Sequence, residues 1–256
     1  MPAGVNMIRR IEHGDILELR LDRSPVNALS PEMLQGLAGA VREAPAAGVR
    51  ALVISGREGM FSAGLDIPHL MSLDRAELEH AVDGFFGALE TVAASVIPIA
   101  VAITGHSPAG GAVVAMCCDY RVMAEGPFGI GLSEVRIGIP MPDTVSALLR
   151  RTVGARRAEE LCVTGRLLGP AEALAVGLVD EVAPSDAVVA SALAWCERTV
   201  QSPPGALAET RARLRTDLLE LMRSLRVDDV RRLTESWFEP ELQQALRDLV
   251  ARLKDR

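Results

Sequence analysis

The stretch IAVAITGHSPAGGAVVAMCCDYRVMA, residues 99–124, decides the fold. It begins with an uncharged apolar run at 99–104 that predicts a buried strand, and it ends with a second strand-like run at 120–124. Between the two runs, a glycine-rich turn at 105–109 leads into a helix of small residues at 110–117. This order of elements is typical of an α/β protein whose strands run parallel.

The residues on both sides of this stretch continue the alternation of strands and helices. Ser30 and Pro31 form a helix start, because serine caps helices and proline favours their first position. The predicted strands are 16–21, 50–55 and 178–182, and the predicted helices are 31–43, 75–92, 143–151, 155–164 and 171–176. From residue 185 the pattern is helical, with breaks at the prolines 203–204 and 240. We therefore expect a core at 1–183 and a helical region at 184–256.

Composition excludes several classes of function. The 256 residues contain 27 Lys and Arg against 34 Asp and Glu, which gives a net charge of −7, and only 3% are aromatic. This balance argues against nucleic acid or anionic membranes as partners, since both select for basic residues. The uncharged segment between Glu90 and Asp119 is interrupted by Pro98 and the glycine-rich turn, so we expect a buried core there, not a membrane span. The N-terminal 22 residues contain no apolar run of signal-peptide length, which predicts a cytoplasmic protein.

Cysteine and histidine spacing predicts neither a metal site nor a disulfide framework. The cysteines are Cys117, Cys118, Cys162 and Cys196, and the histidines are His13, His69, His80 and His106. None of them forms a CxxC or HExxH pattern. We expect the cysteines to be small, reduced core residues and the protein to bind no metal.

The turn at 105–109, GHSPA, is close to the G-x-S-x-G nucleophile elbow of α/β-hydrolases. In that fold the catalytic histidine follows the serine, whereas the last histidine here, His106, precedes Ser107. Chain order therefore argues against a hydrolase. A glycine-rich turn that opens a helix also exposes backbone N–H groups, and the segment 61–66 again places small residues after a buried strand. Donors from both turns could form an oxyanion hole, although for either segment alone a tight turn is the favoured interpretation.

Five segments together resemble the crotonase, or enoyl-CoA hydratase/isomerase, superfamily. They are SAGLDI at 62–67, SPAGGAVVAMCCDYRV at 107–122, IGLSEVRIGIP at 130–140, VGARRAEEL at 153–161 and GPAEALAVGLVDEV at 169–182. Their order and spacing match the family over about residues 16–183. Within the family, the pairing of SAGLD with PAGG and GLSE is most similar to the mitochondrial-type Δ3,Δ2-enoyl-CoA isomerases.

This resemblance implies an α/β fold, a spiral of ββα units followed by a helical trimerisation region. It also implies an enzyme of fatty-acid β-oxidation that acts on acyl-CoA thioesters and forms a homotrimer or a dimer of trimers. Coenzyme A is then part of the substrate, and no separate cofactor is expected.

The resemblance also assigns roles to residues. The N–H groups of Leu65 and Gly110 would hold the thioester oxygen, Ala63 would accept from the adenine amino group, and Glu134 would be the catalytic carboxylate. The other residues expected to bind coenzyme A or substrate are Gly64, Asp66, Ile67, Gly111 and Arg57. The apolar residues around Glu134 predict a partly desolvated carboxyl group with a raised pKa, which suits proton transfer.

Position 113 separates two activities of the family. Hydratases carry a first catalytic glutamate three residues after the oxyanion glycine, and Val113 stands there in this chain. Valine cannot transfer a proton, so we expect an isomerase that uses Glu134 alone. The alternatives are a hydratase-like or other CoA-thioester enzyme, and a scaffold that binds coenzyme A without catalysis. Asp143 lies near the nucleophile of related dehalogenases, but a helix N-cap is the better-supported expectation for it.

Overall fold

The apolar runs form a six-stranded sheet in the computed structural model, which describes residues 7–254. Residues 1–6, which belong to the N-terminal stretch used to predict the compartment, and residues 255–256 lie outside the described residues. The strands, in spatial order, are β1 (Ile8–His13), β2 (Ile16–Leu21), β3 (Ala51–Ser55), β5 (Ile99–Ile103), β7 (Tyr120–Ala124) and β9 (Glu181–Ala183). β1 pairs antiparallel with β2, and all later pairs are parallel.

A second, smaller sheet consists of β4 (Gly59–Met60), β6 (Gly105–Pro108) and β8 (Ile130–Gly131), which also pair in parallel. Each of these strands follows a strand of the large sheet and precedes one or more helices. The repeated order is therefore strand, strand, helix, which confirms the predicted ββα spiral of the crotonase fold. The parallel arrangement brings the connections after β3, β5 and β7 to one edge of the large sheet, where the candidate site lies.

Helices cover both faces of the large sheet. They are α1 (Pro31–Glu43), α2 (Ile67–Leu70), α3 (Arg75–Ala93), α4 (Gly110–Cys117), α5 (Asp143–Val153), α6 (Ala155–Thr164), α7 (Pro170–Ala175), α8 (Val188–Thr199), α9 (Pro204–Trp237) and α10 (Pro240–Lys254). One face packs against α8, and the main core on the other face includes buried side chains of α1, α3 and α4. Because both faces are covered, β3 and β5 are fully buried, and Ser55 at the end of β3 is the one polar residue in these two strands.

Local signals account for where several helices begin. Ser30 caps α1, its Oγ accepting a hydrogen bond from the Met33 N–H, as the sequence predicts. Asp74 and Glu77 form a capping box at the start of α3. No helix among residues 7–254 is long and apolar enough to cross a membrane.

The structure differs from the sequence-based predictions at several elements. The strand expected at 178–182 is Glu181–Ala183, because the Leu178 N–H donates to the Ala173 carbonyl and completes the end of α7. The turn at 105–109 is largely strand β6, and β1 and α2 were not predicted.

The prediction that Asp143 is the N-cap of α5 was wrong. Pro142 occupies that position, and the carboxylate of Asp229 on α9 accepts the N–H groups of Asp143 and Thr144 at 2.8 Å each. Asp143 itself pairs with Arg232 at 2.6 Å. The N–H groups at the start of this helix are therefore paired with a carboxylate from a distant part of the chain.

Candidate active site

The first part of the site is the loop after β4, which carries Leu65. The Leu29 N–H donates to the Gly64 carbonyl at 2.8 Å, and the Asp66 N–H donates to the Leu29 carbonyl at 3.2 Å. The Ser62 Oγ accepts from the Gly64 N–H at 3.1 Å. These bonds fix the peptide groups on both sides of Leu65. Within residues 7–254 no protein acceptor is paired with the Leu65 N–H itself, so this donor is available to a ligand.

The second part is the start of α4 at Gly110. Ala109 adopts φ 49°, which is unfavourable for a residue with a side chain, and its N–H donates to the Gly131 carbonyl at 2.8 Å. This conformation ends β6 and starts the helix within one residue. The Gly110 N–H lies in the first helical turn, where no intrahelical acceptor exists and the helix dipole is positive.

Two glycines allow these donors to approach each other. Gly64 has φ +89°, and a Cβ added there would lie 3.1 Å from the Gly110 nitrogen. A Cβ at Gly111 would lie 2.8 Å from the Ser62 carbonyl oxygen, closer than real contacts allow. The structure therefore brings Leu65 and Gly110 together, in the arrangement that an oxyanion hole requires.

Glu134 opens a short 3-10 helix, Glu134–Ile137. The residue is half-buried, and its Oε2 atom is fully buried with no hydrogen-bond partner among the described residues. Burial raises the pKa of this carboxyl group to about 7, and the backbone N–H groups of Glu134 and Ser133 only partly oppose the effect. The raised pKa is the one predicted from the apolar surroundings.

The position of Glu134 relative to the oxyanion loops follows from the small sheet. Pro108 of β6 pairs with Gly131 of β8, three residues before Glu134. The 3-10 helix contacts both α6 and α10, and α10 also contacts α2, which begins two residues after Leu65. Cys162 of α6 is close enough for the Glu134 charge to contribute to its raised pKa. The C-terminal helix therefore connects the carboxylate with the loop that carries one oxyanion donor.

The remaining predicted binding residues differ in their surroundings. Ala63 is half-buried, and its N–H donates to the Val26 carbonyl at 3.0 Å. Ile67 is half-buried at the start of α2. Asp66 is buried, accepts from the His69 N–H at 3.1 Å and pairs with Arg23. Its carboxylate therefore holds the loop, and its backbone is also paired: the N–H donates to the Leu29 carbonyl and the carbonyl accepts from the Leu70 N–H.

Arg57 lies at the protein surface. Its side chain is 42% exposed, and its Nε is 3.9 Å from the Asp22 carboxylate. The guanidinium group is therefore available to an anion near the loop after β4, and nothing in its contacts ties it to the site.

Asn27 is an important residue that the sequence analysis missed. It is fully buried with φ 50°, and its Nδ2 donates to the Leu21 and Phe61 carbonyls at 3.0 Å each. Its Oδ1 accepts from the Arg23 N–H at 2.8 Å. These bonds tie the end of β2 to the loop that carries Leu65. The available signal was an asparagine in a proline-containing turn, Ser24–Ala28, where asparagine often adopts a left-handed conformation.

The pKa of Glu134 predicts how protein stability depends on pH. The folded protein holds this proton up to about pH 7, whereas an unfolded glutamate releases it near 4.5. Between these values the folded state binds more protons, so the free energy of unfolding falls as the pH rises. Above pH 7, the ionised and desolvated Glu134 lowers the free energy of unfolding by about 3 kcal/mol. We expect Glu134→Gln to stabilise the protein by this order of magnitude at pH 8 and hardly at pH 4.5, as measured by urea unfolding.

Glu159→Gln, an exposed substitution on α6, is the control and should show no such pH-dependent difference. An equal effect of Glu134→Gln at both pH values would show that the carboxyl group is not desolvated in the folded state.

Comparison with known proteins agrees with this geometry. The family model described as enoyl-CoA hydratase/isomerase matches residues 12–248. Human mitochondrial enoyl-CoA delta isomerase 1 is 33% identical over 244 residues, covering 93% of this chain and 80% of the relative. A probable enoyl-CoA hydratase, EchA17 of Mycobacterium tuberculosis, is 34% identical over 215 residues, covering 84% and 82%. The solved structure of human mitochondrial delta3-delta2-enoyl-CoA isomerase superposes with a TM-score of 0.93 at 30% identity, covering 98% and 99%.

The fold and the paired N–H donors define a crotonase-type protein. The chain belongs to the enoyl-CoA hydratase/isomerase family, whose enzymes act on acyl-CoA thioesters. One solved isomerase superposes over nearly the whole chain, but relatives of nearly equal sequence identity include both isomerases and hydratases.

Proposed function

We propose that the protein moves the double bond of 3-enoyl-CoA thioesters to the 2-trans position, with Glu134 as the only acid and base. The observation that supports this proposal most is the desolvated carboxyl group of Glu134. An apolar residue, Val113, stands where hydratases of the family carry their other catalytic glutamate. Glu134 has a buried, unpartnered Oε2 and a pKa of about 7, whereas Val113 is only 1% exposed and cannot carry a proton.

The first chemical step removes a proton from C2 of the substrate. The carboxylate of Glu134 accepts this proton, and the electron pair of the broken C–H bond moves toward the thioester oxygen to form a dienolate. The Leu65 and Gly110 N–H groups donate to that oxygen. Each preorganised donor of this kind is worth about 2.7–4 kcal/mol of transition-state stabilisation.

The second step returns the same proton to C4. Both transfers take place on one face of the dienolate, so a single carboxyl group can serve first as base and then as acid. A pKa of about 7 suits this exchange, because neither the protonated nor the ionised form of Glu134 is strongly favoured near neutral pH.

Hydration of 2-enoyl-CoA is the second candidate function, and the names of the mycobacterial relatives favour it. Hydration requires an activated water and a proton donor, which the resemblance assigns to two glutamates. Val113 lies in α4, about one helical turn beyond Gly110, where the first of these glutamates would stand. The apolar residue therefore supports isomerisation.

Val113→Glu tests this distinction. We expect the unmodified protein to hydrate crotonyl-CoA slowly and the variant to hydrate it faster, because a carboxylate at 113 projects on the same side of α4 as the Gly110 donor. The gain should grow toward higher pH, since burial raises the pKa of the new group. Loss of the enoyl thioester absorbance, followed over a pH series, measures the rate.

Val114→Glu is the matched control, because Val114 is as deeply buried as Val113 but faces another direction of the helix. It should pay the same burial cost without gaining hydratase activity. Fast hydration by the unmodified protein would contradict the single-carboxylate mechanism.

The coenzyme A part of the substrate is expected at the loop that carries Leu65. We propose that the Ala63 carbonyl accepts from the adenine amino group and that Gly64, Ile67 and Gly111 contact the bound thioester. Arg57 is half-exposed beside this loop and is the proposed contact for a CoA phosphate. Coenzyme A belongs to the substrate, so the proposed reaction requires no separate cofactor and no metal.

Self-association through the C-terminal helices is part of the proposal. Leu221 and Val227 of α9 are 41% and 75% exposed, and the family resemblance implies a trimer formed through the helical C-terminal region. We expect sedimentation to give a mass of three or six times the 27.3 kDa chain at micromolar concentration. A single species of one chain across that range would overturn the proposed trimer or dimer of trimers.

A role in fatty-acid β-oxidation and a cytoplasmic location also stay proposals. The name of the human relative places that protein in mitochondria.

A further inference from the structure

A surface pocket of about 410 Å³ lies at the amino ends of β5 and β7, between α8 and α9. Pro98 precedes β5, and Asp119 precedes β7. The oxyanion loops follow the carboxyl ends of the same parallel strands, so this pocket lies at the opposite end of the sheet from the candidate active site. The proposed isomerisation does not use it.

One side of the pocket is formed by four arginines. They are Arg121, Arg151, Arg211 and Arg215. The only carboxylate in the lining is Asp119, which accepts from the Arg211 Nε at 2.9 Å and from the Arg215 Nη2 at 2.7 Å. Four guanidinium groups facing one carboxylate make this pocket positive, although the chain as a whole carries a net charge of −7.

Two acidic residues outside the lining also compensate this charge. Asp180 pairs with Arg121 at 2.8 Å, and Asp217 pairs with Arg151 at 2.7 Å. The four arginines and these three aspartates form a cluster of seven side chains, in which one positive charge is not neutralised.

Two nitrogen atoms of the cluster are buried without a hydrogen-bond partner within residues 7–254. They are the Nη2 of Arg211, a residue that is 8% exposed, and the Nε of Arg121. Buried donors on charged groups are costly to leave unpaired. These two atoms are too deeply buried for an anion in the pocket to contact them directly, but the charge of such an anion would offset the positive charge of the guanidinium groups that carry them.

The other side of the pocket is apolar. It includes Leu214, which is 67% exposed, and the half-buried indole of Trp195, beside the buried side chains of Leu218 and Met116. A small inorganic anion would leave Leu214 and Trp195 in contact with water. A ligand with an apolar tail would cover these two side chains and gain the free energy of their burial.

We propose that this pocket binds an amphiphilic carboxylate, with its carboxylate on the arginine side and its apolar tail against Leu214 and Trp195. Arginine suits this ligand, because its planar N–H groups match the geometry of a carboxylate. A short-chain to medium-chain fatty acid has both parts and fits the available volume.

Octanoate is the probe for the test, and inorganic phosphate is the comparison. The chain contains two tryptophans, Trp195 and Trp237, so protein labelled with fluorotryptophan gives two fluorine NMR signals, assigned with Trp195→Phe. We expect octanoate to shift the Trp195 signal saturably, with and without saturating coenzyme A. Phosphate at equal concentration should bind at least about tenfold more weakly, because it lacks the tail.

Two variants examine the arginine side, and a third is the control. Arg121→Gln and Arg151→Gln should each weaken octanoate binding about tenfold, since each removes one charge-assisted contact. Arg151 is 43% exposed, so its replacement should not prevent folding. Arg157→Gln removes an arginine of similar exposure on α6, outside the pocket, and should leave binding unchanged.

Three results would overturn the proposal. They are no saturable shift of the Trp195 signal up to about 10 mM octanoate, unchanged affinity in both arginine variants, and displacement of octanoate by coenzyme A. None of these results would affect the proposed isomerase, whose residues lie at the other end of the sheet.

Discussion

Glu134→Gln is expected to lower the rate of 3-enoyl-CoA isomerisation by about 10³-fold or more. The amide has nearly the same size and hydrogen-bonding capacity as the carboxyl group, but it cannot accept the C2 proton. The loss should appear in kcat, while the affinity for the CoA thioester should hardly change, because Glu134 acts on the reacting carbons. Stopped assays with purified variant and an independent binding measurement separate the two quantities.

The control for this substitution is again Glu159→Gln, which changes one exposed carboxylate on the neighbouring α6. It should retain normal turnover. Near-normal activity of Glu134→Gln would show that another group takes the proton, and Asp143 would then be examined next.

Gly64→Ala is expected to lower kcat about 100-fold, because it disturbs the approach of the two oxyanion donors. The added Cβ would lie 3.1 Å from the Gly110 nitrogen and 3.1 Å from the Ala109 Cβ. The loop must move outward to relieve these contacts, and the Leu65 N–H would move with it. The positive φ of this residue adds about 1 kcal/mol of backbone strain. Steady-state kinetics and thermal unfolding measure the two effects separately.

Gly48→Ala is the matched control for the strain alone. Gly48 has φ +85°, almost the same as Gly64, but an added Cβ meets no atom within 4 Å. Gly48→Ala should lose only the stability that the positive φ costs, Gly64→Ala should lose at least as much, and only Gly64→Ala should lose catalysis. Equal kinetic loss in the two variants would mean that general destabilisation, and not the oxyanion hole, explains the effect.

Much of the central architecture could be predicted from the sequence because its signals are local. The uncharged runs at Ala51–Ser55 and Ile99–Ile103 could only be strands buried on both faces. The helix at Gly110–Cys117 has the predicted bounds, since the glycine-rich turn starts it and the second strand follows at once. The raised pKa of Glu134 also followed from its apolar neighbours in the sequence.

Other features depend on contacts between distant residues and had no local signal. β1 lies at the edge of the sheet and contains only two apolar residues among Arg9, Arg10, Glu12 and His13, so it resembles a charged tail until its pairing with β2 is known. The strands of the small sheet are too short to produce a pattern. Asn27 holds the loop of Leu65 through carbonyls more than thirty residues away, which no spacing rule could identify.

The candidate active-site residues were predicted from resemblance combined with chemistry, and neither would have been sufficient alone. A glutamate in a loop and two glycine-rich turns are common in proteins of any function. The structure adds that Gly64 and Gly110 lie in contact and that Glu134 follows the strand paired with β6. These are the relations that a mechanism needs.

The most direct test of the single-carboxylate mechanism compares two reactions of the unmodified protein under identical conditions. One assay follows conversion of a 3-enoyl-CoA to its 2-trans isomer, and the other follows addition of water to the corresponding 2-enoyl-CoA. We predict that isomerisation is faster than hydration by at least about 100-fold, since the protein offers one proton-transfer group and hydration needs two. Hydration at a rate equal to or above isomerisation would contradict the account.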